Sequence, residues 1–352
     1  MEAEQVLKTA AEKQASDIFI VAGLPVSLKI NNCIGRLGDQ PLRPEDTEIM
    51  IRQLYAYAKR DEERLLQTGD DDFSFSIVGQ SRYRVSVYRQ RGSLAAVVRV
   101  IAFSLPDPHE LGLPDLVVKL GSSTKGLVLV TGPAGSGKST TLACMIDEIN
   151  KTRNSHVITL EDPIEYLHRH HKSIISQREI VTDTQSYAVA LRAALRQAPD
   201  VILLGEMRDH ETISVAMTAA ETGHLVISTL HTLGATNTID RIIDAFPPEQ
   251  QGQIRVQLAM VLQAVVSQQL VETVDGKMVP AFEIMLCNTA IRNMIREAKT
   301  HQIETAIFSS AASGMVTMDA SLLALCERGE ITQETAVAHS MSPEMMKRKL
   351  GR

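Results

Sequence analysis

Residues 132–139 read Gly132-Pro133-Ala134-Gly135-Ser136-Gly137-Lys138-Ser139, followed by Thr140, which is the pattern Gly-x-x-x-x-Gly-Lys-Ser. An apolar, β-branched run precedes it (Gly126-Leu-Val-Leu-Val-Thr131), and a helical pattern with Leu142, Ile146 and Ile149 on one face follows. Strand, glycine loop and helix in that order form a phosphate cradle. Glycines let backbone N–H groups curl around a phosphate without a Cβ clash, and the helix N-terminus adds partial positive charge. In such a loop Lys138 reaches the terminal phosphates and the Ser139 hydroxyl ligates Mg²⁺. The expected core is therefore a parallel α/β nucleotide-binding domain.

The remaining pattern supports that expectation. Strands are predicted at 127–131, 156–160, 201–204 and 225–230, separated by helices at 138–151, 186–197 and 209–221. Such alternation implies a parallel sheet flanked by helices. From about 235 onward the pattern reads as mostly helical, with one late strand at Val279–Ile284. Three prolines between Leu105 and Pro114 mark a stiff linker. Before it, helices at 2–15 and 44–60 mix with strands at 17–21, 26–30, 72–77, 83–88 and 94–101, the pattern of a small α+β domain. The expected organisation is a domain over 1–104, a linker over 105–114 and a nucleotide-binding domain over 115–352.

Composition excludes several classes. The 352 residues carry a net charge of −6, no Trp and 4% aromatics, so neither a basic nucleic-acid surface nor an aromatic stacking platform is expected. No apolar run approaches the length of a membrane span, and the acidic start Met1-Glu-Ala-Glu-Gln has no signal-peptide core. The four cysteines form no Cys-x-x-Cys pair, so they are read as reduced structural thiols in a cytoplasmic protein.

A nucleotide hydrolase also needs a group to orient or deprotonate water and cations to meet charge on the γ-phosphate. The strand Asp200–Leu204 runs into Gly205-Glu206, which places Glu206 at the sheet edge beside the glycine loop, as base and as a water-mediated metal contact. Asp209 reads instead as a helix N-cap. Glu161, Asp162 and Glu165 follow a second apolar strand and suit either metal-bound water or an ordinary polar loop. His224 and His231 bracket a further strand, as phosphate sensors near the same sheet edge or as satisfied core imidazoles. In the small domain, Arg82, Arg84, Arg89, Arg91 and Arg99 lie on adjacent strand candidates, either a solvated basic face or a source of arginine for phosphoryl transfer.

Together these segments resemble the secretion-ATPase superfamily, the hexameric motors of type IV pili and type II secretion. The phosphate loop at 132–139 matches, as do the aspartate box at 158–166, Gly-Glu-Met-Arg-Asp at 205–209 and the histidine box at 221–232. Arg84 and Arg99, fifteen apart, match the family's pair of arginine fingers. Ala290-Ile-Arg-Asn-Met-Ile-Arg-Glu297 and Met315-Val-Thr-Met-Asp319 are similar to segments of its retraction ATPases. Neither the four-cysteine zinc module nor the extra N-terminal domain typical of assembly and type II secretion ATPases is expected in this protein. Asp17-Ile-Phe-Ile20 and Ala198 depart from the usual pattern, outside the hydrolysis motifs.

The resemblance implies a PAS-like domain ahead of a RecA-like P-loop NTPase motor. It implies ATP with Mg²⁺, a homohexameric ring, no nucleic acid, and docking to an inner-membrane pilus platform protein from the cytoplasmic side. The expected activity is ATP hydrolysis driving pilus retraction. Pilus assembly or secretion is the alternative within the superfamily. A DNA motor and a nucleotide-gated scaffold without turnover are the alternatives outside it.

Overall fold

The computed structural model describes residues 2–30, 33–77, 80–101 and 105–351. The final residues of the expected first domain, 102–104, lie outside these. The chain divides into two compact units, residues 1–104 with 165–167, and residues 105–164 with 168–352.

The first unit contains helices α1 (Ala3–Glu12), α2 (Pro44–Ala58) and α3 (Glu63–Thr68). Its strands are β1 (Asp17–Ile20), β2 (Ser27–Ile30), β3 (Cys33–Arg36), β4 (Asp70–Ile77), β5 (Ser81–Gln90) and β6 (Ser93–Ile101). The sheet order is β3-β2-β1-β6-β5-β4, and every pairing is antiparallel. Alternate residues of the strands, among them Ile18, Phe73, Phe75, Tyr83, Val85, Val87 and Val98, join the apolar residues of α1 and α2 in one buried cluster. The period of two turns their neighbours to the other face, where Arg84 is half-buried and Arg99 exposed. Cys33 lies exposed on the edge strand β3, so it is not a packed thiol as expected.

The second unit begins with α4 (Asp115–Lys119), β7 (Gly126–Thr131), α5 (Lys138–Thr152), β8 (His156–Glu161) and β9 (Ile174–Glu179). It continues with α6 (Tyr187–Ala194), β10 (Val201–Leu204), α7 (His210–Glu221), β11 (Leu225–Leu230), α8 (Ala235–Asp244) and α9 (Pro248–Val261). β12 (Leu262–Glu272), β13 (Met278–Leu286), α10 (Thr289–Arg296), α11 (Ile303–Ser309), α12 (Met318–Glu327), α13 (Gln333–His339) and α14 (Pro343–Lys349) complete it. The seven strands run β13-β12-β7-β11-β10-β8-β9, all parallel except for the antiparallel β12–β13 pair.

Both faces of this sheet are covered. Leu127, Leu129, Ile202 and Leu204 face the helices α6 to α11, whereas Val128, Val130, Val201 and Leu203 face α4 and α5. Full burial on two faces explains why these strands read as continuous apolar runs rather than alternating ones.

Several elements differ from expectation, and β3, α3 and α4 fall where no regular element is expected. Helix 186–197 ends at Ala194, β9 is a strand in a segment with no expected element, and β12 is a strand where helix is expected. In β12 the buried run Ser267-Gln268-Gln269 masks the strand, because its polar side chains are satisfied by distant backbone groups.

Candidate active site

Parallel strands end on one side of the sheet, so the loops after β7, β8, β10 and β11 gather at one edge. The phosphate loop follows β7. Gly132 has φ +143, and a Cβ there would overlap the Gln268 carbonyl oxygen, so a side chain is excluded by both torsion and space. Gly137 opens α5 as its N-cap, which places Lys138 and Ser139 in the first turn. The Lys138 ammonium is buried and donates to the carbonyls of Gly132 and Pro133, 2.8 Å each. The Ser136 hydroxyl is buried with no hydrogen-bond partner among the described residues. Buried donors need acceptors. A curled glycine backbone, a buried ammonium and an unmatched hydroxyl fit a phosphate.

Glu206 follows β10, with 14% of its side chain exposed. Its Oε2 meets Arg208 Nε at 2.6 Å and His231 Nε2 at 3.4 Å. The hydrogen bond and charge of Glu206 hold the Arg208 guanidinium above its ordinary value. Thr229 Oγ1 donates to the Gly205 carbonyl at 2.6 Å, and Met207 N donates to Thr229 O at 3.2 Å, so the loops after β10 and β11 are tied together. Asp209 caps α7 as expected, accepting from Thr212 N at 2.9 Å. Ser139 supplies a hydroxyl and Glu206 a carboxylate, which is the hard-oxygen chemistry magnesium takes, partly through water.

The loop after β8 brings further acids to the same edge. Glu161 accepts from Thr159 Oγ1 at 2.5 Å and Gln177 Nε2 at 3.2 Å. Asp162 is exposed, and so is Glu165, which belongs to the first unit. Tyr187, the first residue of α6, carries no motif signal in the sequence. Burial pushes its phenol up, and the charges of Glu206, Asp162 and Glu161 add to that, which brings the two acidic clusters to one side chain. An ideal Cβ on Gly205 would lie 2.7 Å from the Tyr187 hydroxyl and 3.2 Å from the Leu160 carbonyl. Gly205 is small because of this close approach.

His224 and His231 do not share the expected edge. They flank the six residues of β11, and at roughly 3.3 Å per residue they lie at opposite ends of that strand. Only His231 reaches Glu206. His224 lies at the strand's start, where its carbonyl accepts from Gly126 N at 3.0 Å and its Nδ1 sits 3.0 Å from Ala219 O. Its surroundings satisfy it locally.

In the first unit, Arg84 and Arg99 are directly opposite in the β5–β6 register. Arg99 Nε also contacts Asp17 Oδ1 at 3.0 Å across β1. Arg82 lies on the same face of β5 as Arg84, whereas Arg91 occupies the turn with φ +49.

The described residues include no cluster of His, Cys, Asp and Glu suited to a metal, and no helix long and apolar enough to cross a membrane.

Comparison with known proteins extends this geometry. The family described as type II/IV secretion system protein matches residues 2–338. The type IV pilus retraction ATPase PilT of Pseudomonas aeruginosa is 43% identical over 98% of this chain and 99% of its own length. A twitching motility protein of Neisseria gonorrhoeae is 42% identical over 97% of this chain and 91% of its own. Among solved structures, the pilus retraction motor PilT with bound ADP superposes with a TM-score of 0.89, 47% identity and 99% coverage of both chains.

Proposed function

The chain belongs to the type II/IV secretion system protein family and is an ATPase, and from that premise we propose that it is the motor of type IV pilus retraction. The observation that carries the reading is the whole-length similarity to an ADP-bound retraction motor, together with a phosphate loop and Glu206 on one sheet edge. The motor works as a homohexamer in the cytoplasm, docked on a pilus platform protein at the inner membrane. Each of these assignments is part of the proposal.

The chemistry is divided among this chain's residues. The 132–140 loop and Lys138 bind the phosphates of ATP. Ser139 and, through water, Glu206 would hold magnesium, which would supply positive charge against the phosphates. Glu206 orients and deprotonates the attacking water. His231, beside Glu206, links the state of that carboxylate to the β11 edge. Arg84 and Arg99 act as arginine fingers on charge that develops in the transition state. Glu165 remains the second candidate base, and His224 is assigned a local structural role.

Retraction is tested in a piliated bacterium lacking its own retraction ATPase. Expression of this chain should restore twitching, and expression of Glu206→Gln should not. Restored pilus assembly in a strain lacking its assembly ATPase, without restored twitching, would favour the alternative within the family.

A further inference from the structure

The buried strand β12 places Gln268 beside the phosphate loop, where no motif assigns it a role. Gln268 is 1% exposed. Its Nε2 donates to the Ser136 carbonyl, and its Oε1 accepts from Thr141 Oγ1 at 2.8 Å. One amide therefore joins the middle of the loop to the first turn of α5. Register explains how it gets there: Ser267 pairs with Thr131, the last residue of β7, so Gln268 sits level with the start of the loop. The closeness of the Gln268 backbone to Gly132 fixes the distance.

The geometry points to Gln268 as a positioning residue that pre-sets the phosphate loop for nucleotide. This rests on the reading of residues 132–140 as the nucleotide site. One peptide plane links the Gln268 amide to the start of α5. C=O and N–H point in opposite directions across a trans peptide. Holding the Ser136 carbonyl toward Gln268 turns the Gly137 N–H away from Gln268. That N–H opens α5, where a phosphate would be met by the helix terminus. Without the amide, the buried Ser136 carbonyl loses its Gln268 donor, and the glycine-rich loop is freer to rotate the peptide. Pre-organising a binding loop improves affinity by removing an ordering cost. The bound phosphates stay engaged through the reaction, so ground state and transition state lose equally.

The test is a KM-against-kcat split on the full-length chain. Gln268→Met keeps length and burial and removes both hydrogen bonds. It should raise KM for ATP and weaken a fluorescent ADP analogue with Mg²⁺ at least tenfold, with kcat at saturating ATP within threefold of the parent. Thr141→Val, a near-isosteric change, removes one arm and should raise KM about threefold with the same split. An unchanged KM in Gln268→Met, or a fall in kcat at constant KM, overturns the role. If Gln268→Met does not fold, Thr141→Val decides by the same criteria. Lys138→Ala is measured in parallel. If it loses nucleotide while both brace variants keep it, the brace alone is wrong. If Lys138→Ala binds normally, the loop is not the nucleotide site and the brace falls with it.

Discussion

The two sheets of this molecule display chemistry in different ways. In the parallel sheet every strand of the series β7, β8, β10 and β11 ends on the same side, so the loops that follow them converge on one edge. In the antiparallel sheet strand ends alternate, and no edge collects them. What converges there instead is a row across the face: Asp17, Arg99 and Arg84 lie side by side on β1, β6 and β5 through register alone. A parallel sheet makes a site from loops, which sequence motifs reveal. An antiparallel sheet makes one from cross-strand neighbours, which only pairing reveals.

The first way to break this comparison is at the loop edge. Glu206→Gln preserves shape and hydrogen-bonding capacity but removes the base. Turnover measured by phosphate release should fall on the order of 10²–10⁴-fold, the usual range for a general base, while a fluorescent ATP analogue still binds. A variant within threefold of the parent would move the base to Glu165 or another group.

The sheet face is tested next. Arg84→Ala and Arg99→Ala should each lower kcat at least tenfold, with smaller changes in ATP affinity, since fingers act on developing charge. The face also predicts an asymmetry. Arg99 is held by Asp17, and among the described residues Arg84 has no ion pair, so only Arg99→Ala removes one. That loss is worth up to about 1 kcal/mol for so exposed an arginine. Equal melting temperatures for the two variants would remove the Asp17 contact from the account.

His231→Ala should cost less turnover than Glu206→Gln, about tenfold at most, because His231 is 54% exposed and touches the carboxylate at 3.4 Å rather than the reacting atoms. A loss as large as that of Glu206→Gln would make His231 a participant in the chemistry.

The last test lies outside both sites. His168 donates its backbone N–H to Gln177 at 2.8 Å, and burial pushes its imidazole down to about 4. The unfolded chain binds a proton at this residue near its ordinary value of about 6.5, and the folded chain does not. The contribution is therefore complete above that value and is lost as pH falls toward 4. His168→Gln should flatten the decline in melting temperature over that window. An unchanged slope would show that His168 does not govern it.

The nucleotide-site edge was legible because its signals are local. The phosphate loop, the β10 edge with Glu206 and the Asp209 cap each declare themselves within ten residues. β12 was not legible, since Ser267, Gln268 and Gln269 look like a solvated helix surface until Gly234, Ser136, Thr141 and His339 supply their partners. Tyr187 was missed for a similar reason: nothing in its own segment signals the carboxylates that surround it. His224 misled because a short strand separates two imidazoles that look adjacent in the sequence.

Gly205 and Tyr187 share one small volume, and that makes the order of mutation matter. An alanine at 205 meets the phenolic oxygen first and the Leu160 carbonyl second. Gly205→Ala made alone should therefore damage the turn that carries Glu206. Made after Tyr187→Phe, it meets only the second obstacle and should be better tolerated. The two positions form a lock in which 187 has to open before 205 can change, so drift at this turn has a permitted direction that neither residue reveals by itself.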